Sequence, residues 1–170
     1  MSFDIWIECY RNGKIASIPL EAFEAIFLPY CSNRDEYAEG RKFMQVKYDD
    51  GGRSDIYIGR MSDEALAELE AAGPLMHEKM IELLTSPQPD DDEPIRHITF
   101  NYCGGDAFFA GLYELADRTR SIISWAAFRP IYVFTREGIG NAVPKGSFYD
   151  GIRSRIVRNG ADIVDAIQAG

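Results

Sequence analysis

With 170 residues, a net charge of −9, 46% apolar and 26% charged side chains, the chain has the composition of an ordinary globular domain. These figures exclude collagen, coiled coil and disordered polymer, and no apolar run reaches the roughly 18 residues that a membrane-spanning helix needs. The start, Met1-Ser2-Phe3-Asp4, has no basic stretch, which predicts no signal peptide and a soluble cytoplasmic protein.

The first predicted strand is Phe3-Asp4-Ile5-Trp6-Ile7-Glu8-Cys9-Tyr10, with apolar odd positions facing a core and Asp4, Trp6, Glu8 and Tyr10 on the other side. Asn12-Gly13 reads as a turn. Pro19 opens a short helix over 20–28, with Phe23, Ile26 and Phe27 on one side, and Pro29 ends it. Runs 43–48 and 53–58 flank Asp49-Asp50-Gly51-Gly52, the pattern of a hairpin. Ser62 caps a helix to about residue 72; Gly73-Pro74 closes it and starts another over 75–84. Ser86-Pro87-Gln88-Pro89, followed by Asp90-Asp91-Asp92-Glu93, reads as an extended acidic linker.

Beyond the linker, 95–102 alternates as a strand with Ile98, Phe100 and Tyr102 on one face. Gly104-Gly105 leads into Asp106, the expected N-cap of a helix to about residue 118. Strand-like runs follow at 121–128 and 131–134, then a helix over 147–159 and a last one over 162–167. Strand, helix, strand, strand thus occurs twice. The two helices share a local pattern, Glu21-Ala22-Phe23-Glu24-Ala25 against Asp106-Ala107-Phe108-Phe109-Ala110. The expected fold class is α+β, with a largely antiparallel sheet built from two strand-helix-strand-strand halves in a single domain, 1–170. The halves are 1–60 and 95–135; an acidic helical insert spans 62–85, the acidic linker 86–94 and a helical tail 147–168.

Charge is uneven along the chain. Residues 1–94 hold nine basic and twenty acidic side chains, net −11, whereas 95–170 hold nine and seven, net +2. An acidic surface repels phosphate backbones, so a nucleic-acid partner is not expected, and it favours a basic protein partner. The plainer account is a surface kept soluble by its net charge. Arg153, Arg155 and Arg158 form the one basic cluster, with Arg155 and Arg158 sharing a side of the predicted tail helix.

Catalytic signatures are weak. Cys9, Cys31 and Cys103 form no Cys-x-x-Cys pair and suit a reducing compartment. Paired on paper with His77 or His97, they lack the electropositive setting that a catalytic thiol needs. Two histidines far from paired cysteines supply no zinc set, so neither a metal nor another cofactor is expected. Cys103-Gly104-Gly105-Asp106 sits where a phosphate loop would, but it lacks the Gly-Lys-Ser/Thr ending and brings a negative charge.

A sheet face carries the best signal. Opposite the apolar side, the first strand presents Trp6, Glu8 and Tyr10, and its expected partner presents His97, Thr99 and Asn101. The hairpins add Tyr57, Gln45, Lys47 and Tyr132. Aromatics mixed with hydrogen-bonding groups suit a ligand cleft or a protein-binding surface. Glu8 beside Trp6 and Tyr10 could hold a cation. The plainer account is a solvated or helix-covered sheet face.

The opening Met1-Ser2-Phe3-Asp4-Ile5, Tyr10 and the Gly13 turn resemble a group of short, uncharacterised bacterial proteins that open Met-Ser-Phe-Asp-Ile/Val. The resemblance continues through Phe108, Leu112 and Tyr113, the strand at 131–134, and Val143-Pro144, and it implies no activity. The doubled element order also resembles the gyrase-inhibitor-like fold, which implies a ligand site between the halves. The expectation is a non-enzymatic cytoplasmic binding protein for a basic protein partner, an immunity-type inhibitor being one concrete version. The alternative is a small-molecule binder with a cleft between the halves. Either leaves room for a homo-oligomer.

Overall fold

The computed structural model describes residues 4–75, 78, 79, 82, 92–127, 131–147 and 149–170. Most of the predicted helix at 75–84, with His77, and most of the linker at 86–94 lie outside the described residues. The strands are β1 (Ile5–Arg11), β2 (Lys14–Ala16), β3 (Phe43–Lys47), β4 (Arg53–Arg60), β5 (Ile95–Gly104), β6 (Ser121–Trp125), β7 (Ile131–Phe134) and β8 (Arg153–Ile156). The helices are α1 (Leu20–Phe27), α2 (Arg34–Ala38), α3 (Asp63–Ala71), α4 (Asp106–Thr119) and α5 (Gly160–Gln168). The class is α+β, and the strands form one mostly antiparallel sheet in the order β3-β4-β5-β1-β6-β7-β8, with β2 added on β1. β7 and β8 run parallel.

Alternation along each strand sorts the sheet into two faces. One face is the main core. Ile5, Ile7 and Cys9 of β1 and Ile98 and Phe100 of β5 meet Phe23 and Phe27 of α1, Phe108 and Leu112 of α4, and Ile163 of α5. The rings of Phe27 and Phe100 lie 5.6 Å apart and those of Phe100 and Phe108 5.7 Å, which makes an aromatic centre for the domain. Each fully buried side chain of this kind contributes about 1.5–3 kcal/mol. α4 and α5 touch at backbone distance, since a Cβ on Gly160 would fall 2.6 Å from Ala110 N and Phe109 C.

The other face is covered over only part of its area. Tyr10, Ile15, Ile122 and Tyr132 pack there under Leu66 and Leu69 of α3 and under Ile139 and Tyr149 of the connection after β7. Arg96 fastens α3 to β5. It is buried, its Nη2 lies 2.6 Å from Asp63 Oδ1, and its charge sits at the first turn of the helix. Ser62 caps α3 as the sequence predicts, accepting from Ala65 N–H at 3.1 Å.

Three expectations change. The predicted helix at 147–159 is instead a run of turns followed by β8. Tyr149, Ile152 and Ile156 mimic a helical spacing, but Tyr149 and Ile152 belong to the second cluster and Val157 to the main core, on opposite sides of the sheet. An extended chain reaches both faces where a helix cannot. The last helix stands as read, capped by Asn159. Tyr102 does not join Ile98 and Phe100: its φ of 56° turns the chain at an irregularity in the β4–β5 pairing and leaves the ring 54% exposed.

The third change is the cap of α4. Gly105 occupies the N-cap position with φ 91°, and its close approach to Gly52 leaves no room for a Cβ. The capping carboxylate comes from the β3–β4 turn: Asp50 accepts from Ala107 N–H at 3.0 Å and from Gly52 N–H at 2.8 Å. These amides, Ala107 first, hold the Asp50 carboxyl below its usual range. Asp50→Ala uncouples hairpin and helix, and the expected result is a melting temperature lower by about 2–4 °C. Asp50→Asn, which can still accept one of the two bonds, is expected to lose less in the same melting experiment.

The two halves are threaded differently. β4, the last strand of the first half, lies beside β5, whereas β6, the middle strand of the second half, lies beside β1. The halves therefore interleave: β4–β5, β5–β1 and β1–β6 each pair a strand of one half with a strand of the other, and across β1–β5 Ile5 lies opposite Phe100 and Glu8 opposite His97.

Candidate functional site

The register places the predicted residues in two neighbouring rows. In the first, Phe43 lies opposite Tyr57, Tyr57 opposite Thr99, Thr99 opposite Trp6, and Trp6 opposite Ser124. Beside it run Gln45, Asp55 and Asn101, again opposite one another in sequence. Trp6, Thr99 and Asn101 are partly exposed and Tyr57 is 46% exposed. Phe43 and Tyr57 stack with ring centroids 4.9 Å apart, and Gln45 Nε2 donates to Asp55 Oδ1 at 3.1 Å. Partial burial first, then the charge of Asp55 and the nearby Tyr102 hydroxyl, raise the Tyr57 phenol above its usual value. Trp6, Tyr57, Thr99 and Asn101 therefore form one continuous patch with Phe43, Gln45, Asp55 and Tyr102.

Glu8, Tyr10 and His97 lie on the same face but under the covered half. Tyr149 donates to Glu8 Oε2 at 2.6 Å and Tyr10 donates to the same oxygen at 3.2 Å. Because the Tyr149 proton points at Glu8, Ser124 Oγ, 2.9 Å away, must be the donor to the Tyr149 oxygen. Burial pushes the Glu8 carboxyl up, and the two tyrosine hydroxyls pull it part of the way back. Burial and then the neighbouring Glu8 push both phenols, Tyr10 and Tyr149, well above 10. One oxygen of the carboxylate thus serves internal hydroxyls that seal the second cluster.

His97 stands across from Glu8 and is 6% exposed. Burial lowers its pKa to about 4, so the imidazole is neutral at pH 7. Its Nδ1 has no hydrogen-bond partner among the described residues. The ring lies flat over Gly59, where a Cβ would fall 1.9 Å from His97 Cε1. Tyr132, expected on the exposed face, is buried beside Tyr149 with ring centroids 5.4 Å apart.

The remaining chemical candidates are engaged in structure. Cys9 donates its thiol to Thr119 O at 3.2 Å, and Cys31 to Asn33 Oδ1 at 3.4 Å. Burial pushes the Cys103 thiol up to about 12, so it carries no thiolate at neutral pH. The N-terminus of α4 already holds the Asp50 carboxylate, which fills the position a phosphate would take. Among the described residues no three His, Cys, Asp or Glu side chains converge on a metal position, and no helix is long and apolar enough to cross a membrane.

Sequence reasoning missed Phe43 and Tyr102 on the open patch and Tyr149 and Ser124 around Glu8. Phe43 could have been found, because it alternates with Gln45 and Lys47. Tyr149 offered no signal: it lies 141 residues from Glu8 and inside a segment with helical spacing. No family model, curated protein or solved structure matches the chain.

Proposed function

We propose that this protein is a non-enzymatic cytoplasmic binding protein that engages a basic protein partner through the open half of its sheet, in the manner of an immunity-type inhibitor. The observation that carries the reading is the patch of Phe43, Tyr57, Trp6 and Tyr102 interleaved with Gln45, Asp55, Thr99 and Asn101. Tryptophan and tyrosine supply most of the energy of protein interfaces, and fixed hydrogen-bonding groups between them set the register. The strands hold these side chains on a rigid frame, so little ordering entropy is lost on binding. Asp55 on the patch and a net charge of −9 favour a basic partner and speed its encounter, although Lys47 and Arg53 border one end. The continuous β1–β5 pairing gives no support to a ligand cleft between the halves.

The test is affinity capture from the native extract with wild type and with Phe43→Ala/Tyr57→Ala, at low and high salt. The expected result is a basic protein captured by wild type and released by salt, with binding at least about tenfold weaker for the double variant. Equal capture by both proteins would move the interface elsewhere.

A further inference from the structure

We propose that the outer edge of β8 accepts an extended acidic peptide as an added strand, with carboxylates at alternate positions of the peptide meeting Arg153 and Arg155. This inference is independent of the open sheet patch and concerns the opposite end of the sheet. β8 pairs only with β7, and all four of its residues are exposed. Among the described residues no strand lies on its other side.

The backbone of β8 fixes what that edge offers. Val157 N–H donates to Phe134 O on the β7 side. Alternation then turns the backbone groups of Arg153 and Arg155 toward β7, and those of Ser154 and Ile156 outward. Unpaired outward donors and acceptors are a template for strand addition.

Side-chain chemistry selects the occupant. Arg153 lies opposite Ile131 and Arg155 opposite Val133, so both stand on the helix side of the sheet. There they line a cavity of about 300 Å³ together with Ile131, Ser154, Ala166, Ala169 and Gly170. Neither arginine makes an ion pair with a described residue. The carbonyl end of α5 borders the cavity, and its dipole favours the two guanidiniums. On a chain of net charge −9 this is a local basic site, which repels basic chains and attracts acidic ones. The two arginines are spaced i, i+2, the spacing at which an extended peptide presents side chains to one face. Guanidinium forks match carboxylates in two-point contacts.

The experiment is fluorescence anisotropy of a labelled seven-residue peptide with glutamates at its third and fifth positions and threonine elsewhere. Three comparisons accompany it: a glutamine version, a version N-methylated at the amides that would face β8, and the wild-type peptide against Arg153→Glu/Arg155→Glu protein. Both substituted side chains are exposed, and circular dichroism checks the fold. The expected result is saturable binding to wild type that weakens at least about tenfold in each comparison. Absence of binding to wild type, or equal binding by the double variant, overturns the proposal. Equal binding of the N-methylated peptide together with displacement by about 10 mM inorganic phosphate also overturns it, because the site would then bind single anions and add no strand.

Discussion

Gly59→Ala is expected to destabilise the protein by about 3 kcal/mol or more, and on a domain of ordinary stability that brings it close to unfolding. The added methyl would lie 1.9 Å from Cε1 of His97 and 2.3 Å from Nδ1. The ring cannot swing away, because it is 6% exposed and held between β4 and β1 on a central strand. A strand normally prefers alanine to glycine, so the sign of the effect isolates the clash from backbone propensity. In a His97→Ala background the same Gly59→Ala change is expected to cost less than about 1 kcal/mol. Urea unfolding of the four proteins completes the cycle. An equal cost in both backgrounds would show that the ring does not occupy the space above Gly59.

The second large effect concerns Glu8. Glu8→Leu removes the acceptor for two buried phenols. Tyr149 can turn its proton to Ser124, which leaves Tyr10 without a partner, and the expected cost is about 2–3 kcal/mol. Glu8→Gln keeps an acceptor oxygen for both hydroxyls and removes a partly desolvated charge, so it is expected to stay within about 1 kcal/mol of wild type at pH 7.

The pH profile separates the roles of Glu8 and His97. His97 titrates near 4 folded, against 6.5 for the free side chain. The unfolded chain therefore binds more protons between these values, and stability is lost as pH falls through that window, by about 3 kcal/mol in all. Glu8 has its folded pKa raised above 4.5, so the folded state holds its proton longer, and stability falls as pH rises above 4.5. In wild type the two slopes oppose each other above pH 4.5. Glu8→Gln removes one of them, and the expected acid loss as pH falls toward 4.5 is steeper than in wild type. A flatter profile in the glutamine variant would contradict the assignment.

Local signals account for what could be read from the residues. The alternation of β1 is written in Ile5, Ile7 and Cys9, the β3–β4 hairpin in its Gly-rich turn, and α3 in the Ser62 cap. What was missed depends on contacts that no local window contains. Asp50 caps a helix that begins 56 residues later, and Tyr149 closes over Glu8 from the far end of the chain. β8 carried a false helical period because its neighbours serve opposite faces of the sheet. The candidate face was legible in part for the same reason. Strand alternation correctly put Trp6, Glu8, Tyr10, Tyr57, His97, Thr99 and Asn101 on one side. Which of them stay open depended on α3 and the connection after β7, whose packing over Tyr10 is a tertiary choice.

Hydroxyl-radical footprinting of the protein alone and in complex with its captured partner tests the binding proposal most directly. It reads side-chain exposure at Trp6, Phe43, Tyr57 and Tyr102. Tyr30, 46% exposed and stacked on Tyr48 at the main-core side, is the internal control. The predicted result is protection of Tyr57, Phe43 and Trp6 in the complex with Tyr30 unchanged. Protection of Tyr30 with the patch still reactive would contradict the proposed interface.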